Sequence, residues 1–140
     1  MGIPIVIGVT GHRALRAQDI PFLRAAVAAE LKKLIETYSN SSFIMLNSIA
    51  SGADTLCAEA ALALGIRLVC PLPLPMDDYR NDFSEADAMR FDALIQAAET
   101  VFVVSDVETT RLNPTRDDSY RQAGLYVAAH SHVLLALWDG

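Results

Sequence analysis

The stretch Ile3–Arg13, which reads IPIVIGVTGHR, decides the fold prediction for this chain. Its first part, residues 3–9, is a short apolar run rich in β-branched residues, which is typical of a strand covered on both faces in a parallel sheet. The turn Thr10-Gly11-His12-Arg13 follows directly. The sequence therefore predicts a central strand whose carboxyl end opens into a glycine-containing turn.

Strands and helices alternate along the rest of the chain. Asp19 and Pro21 begin an amphipathic helix, Gly65 ends a second one, and Ser84-Glu85-Ala86-Asp87 resembles the capping box of a third. A last helix is expected at about 118–129. Further strands are predicted at 43–46, 67–70, 100–104 and 133–138, an extended proline loop at 71–75 and a long polar loop at 105–117.

This alternation implies right-handed βαβ crossovers and a parallel sheet. We expect an α/β fold, a single Rossmann-like three-layer domain over residues 1–140 with a five-stranded sheet in the order 3-2-1-4-5. Ligands of such sheets bind beyond the carboxyl ends of the strands at the switch point, here expected between strands 1 and 4. The loops at Gly11, Ser48–Asp54 and Ser105 would converge there.

Composition and charge narrow the function classes. With 140 residues and 52% hydrophobic content, the chain has enough apolar material for one core. The net charge of −6 makes nucleic acid an unfavoured partner. No apolar run approaches the roughly 18 to 20 residues that span a bilayer, and residues 1–9 do not read as a signal peptide. We expect a cytoplasmic protein without a membrane partner, with Cys57 and Cys70 as reduced core residues.

The turn after the first strand is a candidate anion site. Glycine at Gly11 lets backbone amides approach a phosphate closely, and the Arg13 guanidinium suits bidentate phosphate contacts. His12 beside it is a candidate donor to a phosphate or a base. A tight turn with a surface arginine explains the same residues equally well.

The segment Ser48–Asp54 carries a stronger signal. Two hydroxyls, Ser48 and Ser51, and the glycine Gly52 lie where a helix begins, and a helix N-terminus attracts anions. Ser51 is the natural phosphate contact, and Asp54 either caps the helix or accepts from a ribose hydroxyl. We favour a binding site here over ordinary helix capping.

Other motifs carry less chemistry. Tyr79 and Arg80 follow the proline loop, where the tyrosine could stack on a base and the arginine reach an anion, or where the loop simply packs over the core. The pair His130 and His132 lacks a third ligand nearby, so we expect no metal site. There is no Gly-x-Ser-x-Gly elbow, no plausible cysteine nucleophile and no Walker A sequence.

The Thr-Gly-His-Arg turn, the Ser-x-Ala-Ser-Gly-Ala-Asp turn and the helix sequence Ala-Glu-Ala-Ala-Leu-Ala-Leu-Gly together resemble the SLOG superfamily of Rossmann-like domains. That superfamily includes the Smf/DprA, Lonely Guy and YpsA-like proteins. The segment Ser119–Gly124 leading into residues 133–140 is similar to the YpsA-like branch. The resemblance spans nearly the whole chain.

The resemblance implies a nucleotide or nucleotide-derived ligand, with no cofactor required. The residues that match are Gly11, His12, Arg13, Ser51, Gly52 and Asp54. It also allows a homo-oligomer, because exposed helix faces in such domains often pair. Two alternatives remain: a Lonely Guy-like phosphoribohydrolase acting on a nucleoside monophosphate, and a single-strand DNA binder like Smf/DprA, which the acidic charge opposes.

One departure from the superfamily bears on catalysis. Many members have a glycine-rich phosphate loop after a late strand, but here Val101–Val104 leads into Ser105-Asp106-Val107-Glu108. Either that loop was never present or the sequence is the truncated N-terminal part of a longer protein. We therefore expect a binding or sensing domain, serving an attached effector, ahead of a hydrolase.

Overall fold

The computed structural model describes residues 3–11, 13–108 and 112–137. Its strands are β1 (Ile5–Gly11), β2 (Phe43–Leu46), β3 (Arg67–Leu72), β4 (Thr100–Val103) and β5 (Val133–Leu137). Its helices are α1 (Ile20–Thr37), α2 (Ala53–Ala63), α3 (Met76–Arg80), α4 (Glu85–Ala97) and α5 (Arg116–Ala129). Short 3₁₀ turns lie at Ala17–Asp19 and Val104–Asp106.

The strands form one sheet in the order β4-β3-β2-β1-β5, and every neighbouring pair is parallel. This confirms the α/β fold, the parallel five-stranded sheet and the predicted run of strands 3-2-1. The predicted position of strand 4 beside strand 1 is wrong. β5 pairs with β1 instead, and β4 lies beyond β3, because the crossover through α4 continues in the direction of the two before it.

The helices cover both faces of the sheet. α1, α2 and α4 pack side by side on one face, whereas α5 packs on β1 and β3. Two glycines of β1 mark the two faces. A Cβ on Gly8 would lie 2.2 Å from Ser131 Oγ, just after α5, and one on Gly11 would lie 2.7 Å from the Cβ of Ala53 in α2. The direction in which successive strands are added to the sheet therefore changes between β1 and β5, after the crossover through α5 on the other face.

Several element boundaries differ from the predicted ones. β1 extends two residues beyond the predicted end, because Thr10 and Gly11 pair with the end of β5. β3 likewise continues through Pro71 to Leu72, and α3 begins at Met76, directly after the proline loop. α5 begins at Arg116 rather than near residue 118, since Thr115 and Asp118 form its capping box. The Ser84 cap is confirmed: its hydroxyl accepts from the Asp87 amide.

The core lies between the sheet and the α1–α2–α4 layer. Ile7, Leu31 and Met45 are fully buried there. Cys57 and Cys70 are buried free thiols, as expected of core residues, and burial raises the pKa of each to about 12. Over the described ranges, no helix combines the length and apolar character needed to cross a membrane.

Candidate ligand-binding site

A cleft of about 190 Å³ lies beyond the carboxyl end of β1, and we call it the main cleft. Its walls come from the end of β1, the loop between β2 and α2, the residues after β3, and helix α5. The main cleft thus lies at the switch point of the sheet, where open α/β sheets bind ligands. That point is between β1 and β5, not between strands 1 and 4 as predicted, and Ser105 follows β4 at the far edge of the sheet.

The loop between β2 and α2 is held in place by Asn47, whose side chain is fully buried. Its Oδ1 accepts from the Ile49 amide at 2.8 Å, and its Nδ2 donates to the Asp54 carbonyl at 2.8 Å. A buried amide with both ends satisfied fixes the backbone on either side of it. Asn47 was not among the predicted site residues; its position directly after a strand is the one signal for it in the sequence.

Two residues of this loop have left-handed backbones. Ile49 has a φ of 55° and Gly52 a φ of 81°. Glycine adopts this region freely, but a β-branched residue does so only against strain, and such strain is concentrated at functional sites. The hydrogen bond from the Ile49 amide to Asn47 and the complete burial of Ile49 hold the strained conformation.

The loop places the N-terminus of α2 at the border of the main cleft, which Asp54 of the first helical turn lines. Gly52 is the N-cap, and Ala53 and Asp54 are the first helical residues, whose amides have no acceptor within the helix. Ser51, just before the cap, lines the cleft. A hydroxyl beside open amides at the positive end of a helix dipole is a suitable set of donors for a phosphate.

Asp54 lines the same cleft and carries an unusual carboxylate. Its Oδ2 accepts from the Ala50 amide at 3.1 Å. Burial raises the pKa of Asp54 to about 6, although the Ala50 hydrogen bond and the positive charge of Arg13 both oppose the rise. The carboxyl group therefore changes its protonation state close to neutral pH, and it does so at the wall of a cleft.

Arg13 stands at the entrance of the main cleft. Its guanidinium carbon lies 4.2 Å from the centroid of the Tyr120 ring, which orients the planar group by a cation–π contact. Arg13 also makes a side-chain hydrogen bond with Tyr120, and because a guanidinium has five N–H donors, others are left for an anion. The main cleft therefore brings Arg13 together with Ser51 and Asp54, as predicted from the sequence, and with Gly11, which is the last residue of β1 rather than part of a turn. Gly52 follows Ser51 in the chain but lines a second, neighbouring cleft.

Tyr120 is itself fixed by a cluster of charges. Its hydroxyl donates to Asp82, and Arg116 donates to the same carboxylate at 2.8 Å and to Asp78 at 3.1 Å. These contacts tie the start of α5 to the segment around α3. The Arg116 and Tyr120 hydrogen bonds hold the pKa of Asp82 below its ordinary value, so the Asp82 carboxylate is ionised at neutral pH.

Two predicted site residues, Ser48 and Tyr79, line the main cleft in structural roles. The Ser48 hydroxyl donates to the Pro71 carbonyl at 2.7 Å, and the Tyr79 hydroxyl donates to the Ser48 carbonyl at 3.0 Å. Tyr79 is fully buried, and its ring packs edge-on against Phe83 and Phe91. The loop therefore packs over the core, which was the structural alternative for Tyr79.

The remaining predicted residues lie elsewhere. Arg80 makes a bidentate pair with Asp92, with contacts of 2.9 Å, and does not line the cleft. His12 lies outside the described residues. His132 Nδ1 accepts from the Val6 amide at 2.9 Å, and His130 Nδ1 lies 2.8 Å from the Tyr126 carbonyl. The described ranges hold no group of three or more His, Cys, Asp and Glu side chains that could bind a metal.

A second cleft of about 210 Å³ borders the first, and we call it the arginine cleft. Arg13 and Ser51 line both clefts, and Arg24 and Arg90 line only this one. Arg24 and Arg90 were not predicted to meet, because residues on α1 and α4 have no sequence spacing that links them. Each cleft alone is smaller than a typical ligand pocket of roughly 300 to 1,000 Å³, whereas the two together reach that range.

Comparison with known proteins assigns no family. No protein-family model matches the chain, and no curated protein matches its sequence at a significant level. The fold and the geometry of the two clefts therefore carry the functional argument.

Proposed function

We propose that this chain binds a nucleotide or a nucleotide-derived phosphate ligand in the main cleft. The observation that carries the proposal is that Arg13 and Ser51 line one cleft at the switch point, directly beside the N-terminus of α2. Three kinds of anion donor meet there on a protein whose net charge is −6. The resemblance to the SLOG superfamily supports the same ligand class.

The neighbouring groups suit the rest of such a ligand. A phosphate would lie on Ser51 and the helix N-terminus, with Arg13 as its counter-ion. The ionised Asp54 carboxylate accepts hydrogen bonds only, so it selects a donor such as a ribose hydroxyl. Tyr120 and the small residues Ala123 and Gly124 of α5 line the same cleft, and a flat base would lie against them.

A thermal-shift screen against nucleoside mono-, di- and triphosphates, cyclic nucleotides and dinucleotides tests the proposal. A ligand that binds the native state raises the melting temperature by mass action. We expect a shift with at least one phosphate-bearing nucleotide, and no shift with the matching nucleoside. No shift with any nucleotide, at concentrations up to about millimolar, would contradict the proposal.

One observation favours a second candidate, N-glycosidic hydrolysis of a nucleoside monophosphate. Asp54, with its pKa raised to about 6, is suited to accept or donate a proton near neutral pH. Incubation with nucleoside monophosphates, followed by chromatography, would show free base and ribose 5-phosphate if this holds. Asp54→Asn would then abolish product formation while nucleotide binding remained.

A further inference from the structure

The arginine cleft adds a second anion site beside the first. Three guanidinium groups, those of Arg13, Arg24 and Arg90, line it together with Ser51 and Gly52. Arg13 and Ser51 line both clefts, so these two residues form the border between them. Groups bound in the two clefts would therefore both lie beside Arg13 and Ser51.

Glu59 positions the two arginines that belong only to this cleft. Its Oε1 accepts from Arg90 at 2.6 Å and from Arg24 at 3.3 Å, and its Oε2 accepts from Arg90 at 3.1 Å. A guanidinium has more N–H donors than these contacts use, so both groups keep donors for a ligand. The two arginines hold the pKa of Glu59 below its ordinary value, which keeps this positioning carboxylate ionised at neutral pH.

The charge balance of the cleft is positive. Asp87 lines it, and Glu59 lies behind two of the arginines, so two carboxylates face three guanidinium groups. The N-terminus of α2 adds a partial positive charge at Gly52. A phosphate group fits this arrangement, since planar guanidinium groups bind phosphate oxygens in bidentate fashion.

We propose that the ligand is a nucleotide with two adjacent phosphates, of the nucleoside diphosphate class. One phosphate binds Ser51 and the N-terminus of α2, and the other binds Arg24 and Arg90 in the arginine cleft, with Arg13 between them. This inference rests on the proposed function and adds the number of phosphates to it.

Isothermal titration of wild-type protein with each nucleoside monophosphate and its diphosphate, without added metal, tests the inference. We expect the diphosphate to bind about tenfold more tightly, the size of effect that one charge-assisted contact gives. Arg90→Gln should remove this preference and leave the monophosphate affinity unchanged. The matched control is Arg67→Gln, because Arg67 also pairs with a glutamate, Glu99, but at the opposite end of the sheet.

The outcomes separate the two proposals. Equal affinity of wild-type protein for monophosphate and diphosphate would overturn this inference and leave nucleotide binding intact. An equal loss of affinity for monophosphate and diphosphate in Arg90→Gln would do the same. Absence of any nucleotide binding to wild-type protein would overturn the proposed function itself. Arg24→Gln provides a second variant if Arg90→Gln does not fold, and it should reduce the preference for the diphosphate in the same way.

Discussion

Asp54→Asn is expected to stabilise the protein at neutral pH and to leave its stability unchanged in acid. The pKa of Asp54 is raised from an ordinary 3.8 to about 6, mainly by burial. The folded state holds the proton of Asp54 more tightly than the unfolded chain does. The contribution of protonated Asp54 to the stability of wild-type protein is therefore fully present below about pH 4 and is lost as the pH rises through about 6. At neutral pH the native protein carries a charge that the unfolded chain accommodates better.

The size of the effect follows from the shift. One pKa unit corresponds to about 1.4 kcal/mol, so a rise of about two units costs the native state up to about 3 kcal/mol at neutral pH. Asparagine keeps the side-chain oxygen that accepts from the Ala50 amide and removes the charge. The difference in free energy of unfolding between Asp54→Asn and wild type should therefore increase between about pH 4 and about pH 6 and then remain constant.

Urea unfolding of wild-type protein and Asp54→Asn at several pH values between about 4 and 7.5 measures the effect. The other carboxylates titrate in both proteins, so their contributions cancel in the difference. Asp82→Asn is a control of opposite sign: the pKa of Asp82 is lowered by Arg116 and Tyr120, so this variant should lose stability at neutral pH. A difference between Asp54→Asn and wild type that does not change with pH would refute the reasoning.

The close approach of β1 and α2 and the bracing of the loop between β2 and α2 give two more predictions. Gly11→Ala would place a Cβ 2.7 Å from the Ala53 Cβ and 2.8 Å from the Leu137 carbonyl, so urea unfolding should show a loss of about 1–3 kcal/mol. Gly124→Ala is the matched control, because a Cβ at this position meets nothing within 4 Å. Alanine should therefore stabilise α5 by about 0.5–1 kcal/mol. Equal changes in the free energy of unfolding of the two variants would contradict the packing argument. Asn47→Ala leaves the buried Ile49 amide without its acceptor, so it should cost about 1–3 kcal/mol and weaken nucleotide binding; unchanged unfolding would show that the loop does not depend on this side chain.

Much of the fold was predictable because apolar runs and helical periodicity report local structure. The run at 5–9 and the Ser84 cap are examples that the structure reproduces. The edge on which each late strand lies was not predictable, since β4 and β5 are both short apolar runs with no marker of their neighbours. That choice depends on whether α4 packs beside α2, which is a tertiary contact.

The candidate site was only partly predictable, for a similar reason. The residues after β1 and β2 meet because adjacent parallel strands end at the same edge, so the convergence of Arg13 with Ser51 followed from topology. The position of Arg80 could not be predicted from topology, because its pairing with Asp92 on α4 depends on how the helices pack. Arg24 and Arg90 likewise meet only through Glu59 in the folded protein.

The most direct test of the central claim is the affinity of Arg13→Ala for the nucleotide that gives the largest thermal shift, measured by isothermal titration beside wild type and Arg67→Ala. Loss of a charge-assisted phosphate contact is worth about 1.5–3 kcal/mol, so the account predicts that Arg13→Ala binds roughly ten- to a hundredfold more weakly while Arg67→Ala binds like wild type. A folded Arg13→Ala protein with unchanged affinity would contradict the placement of the phosphate in the main cleft.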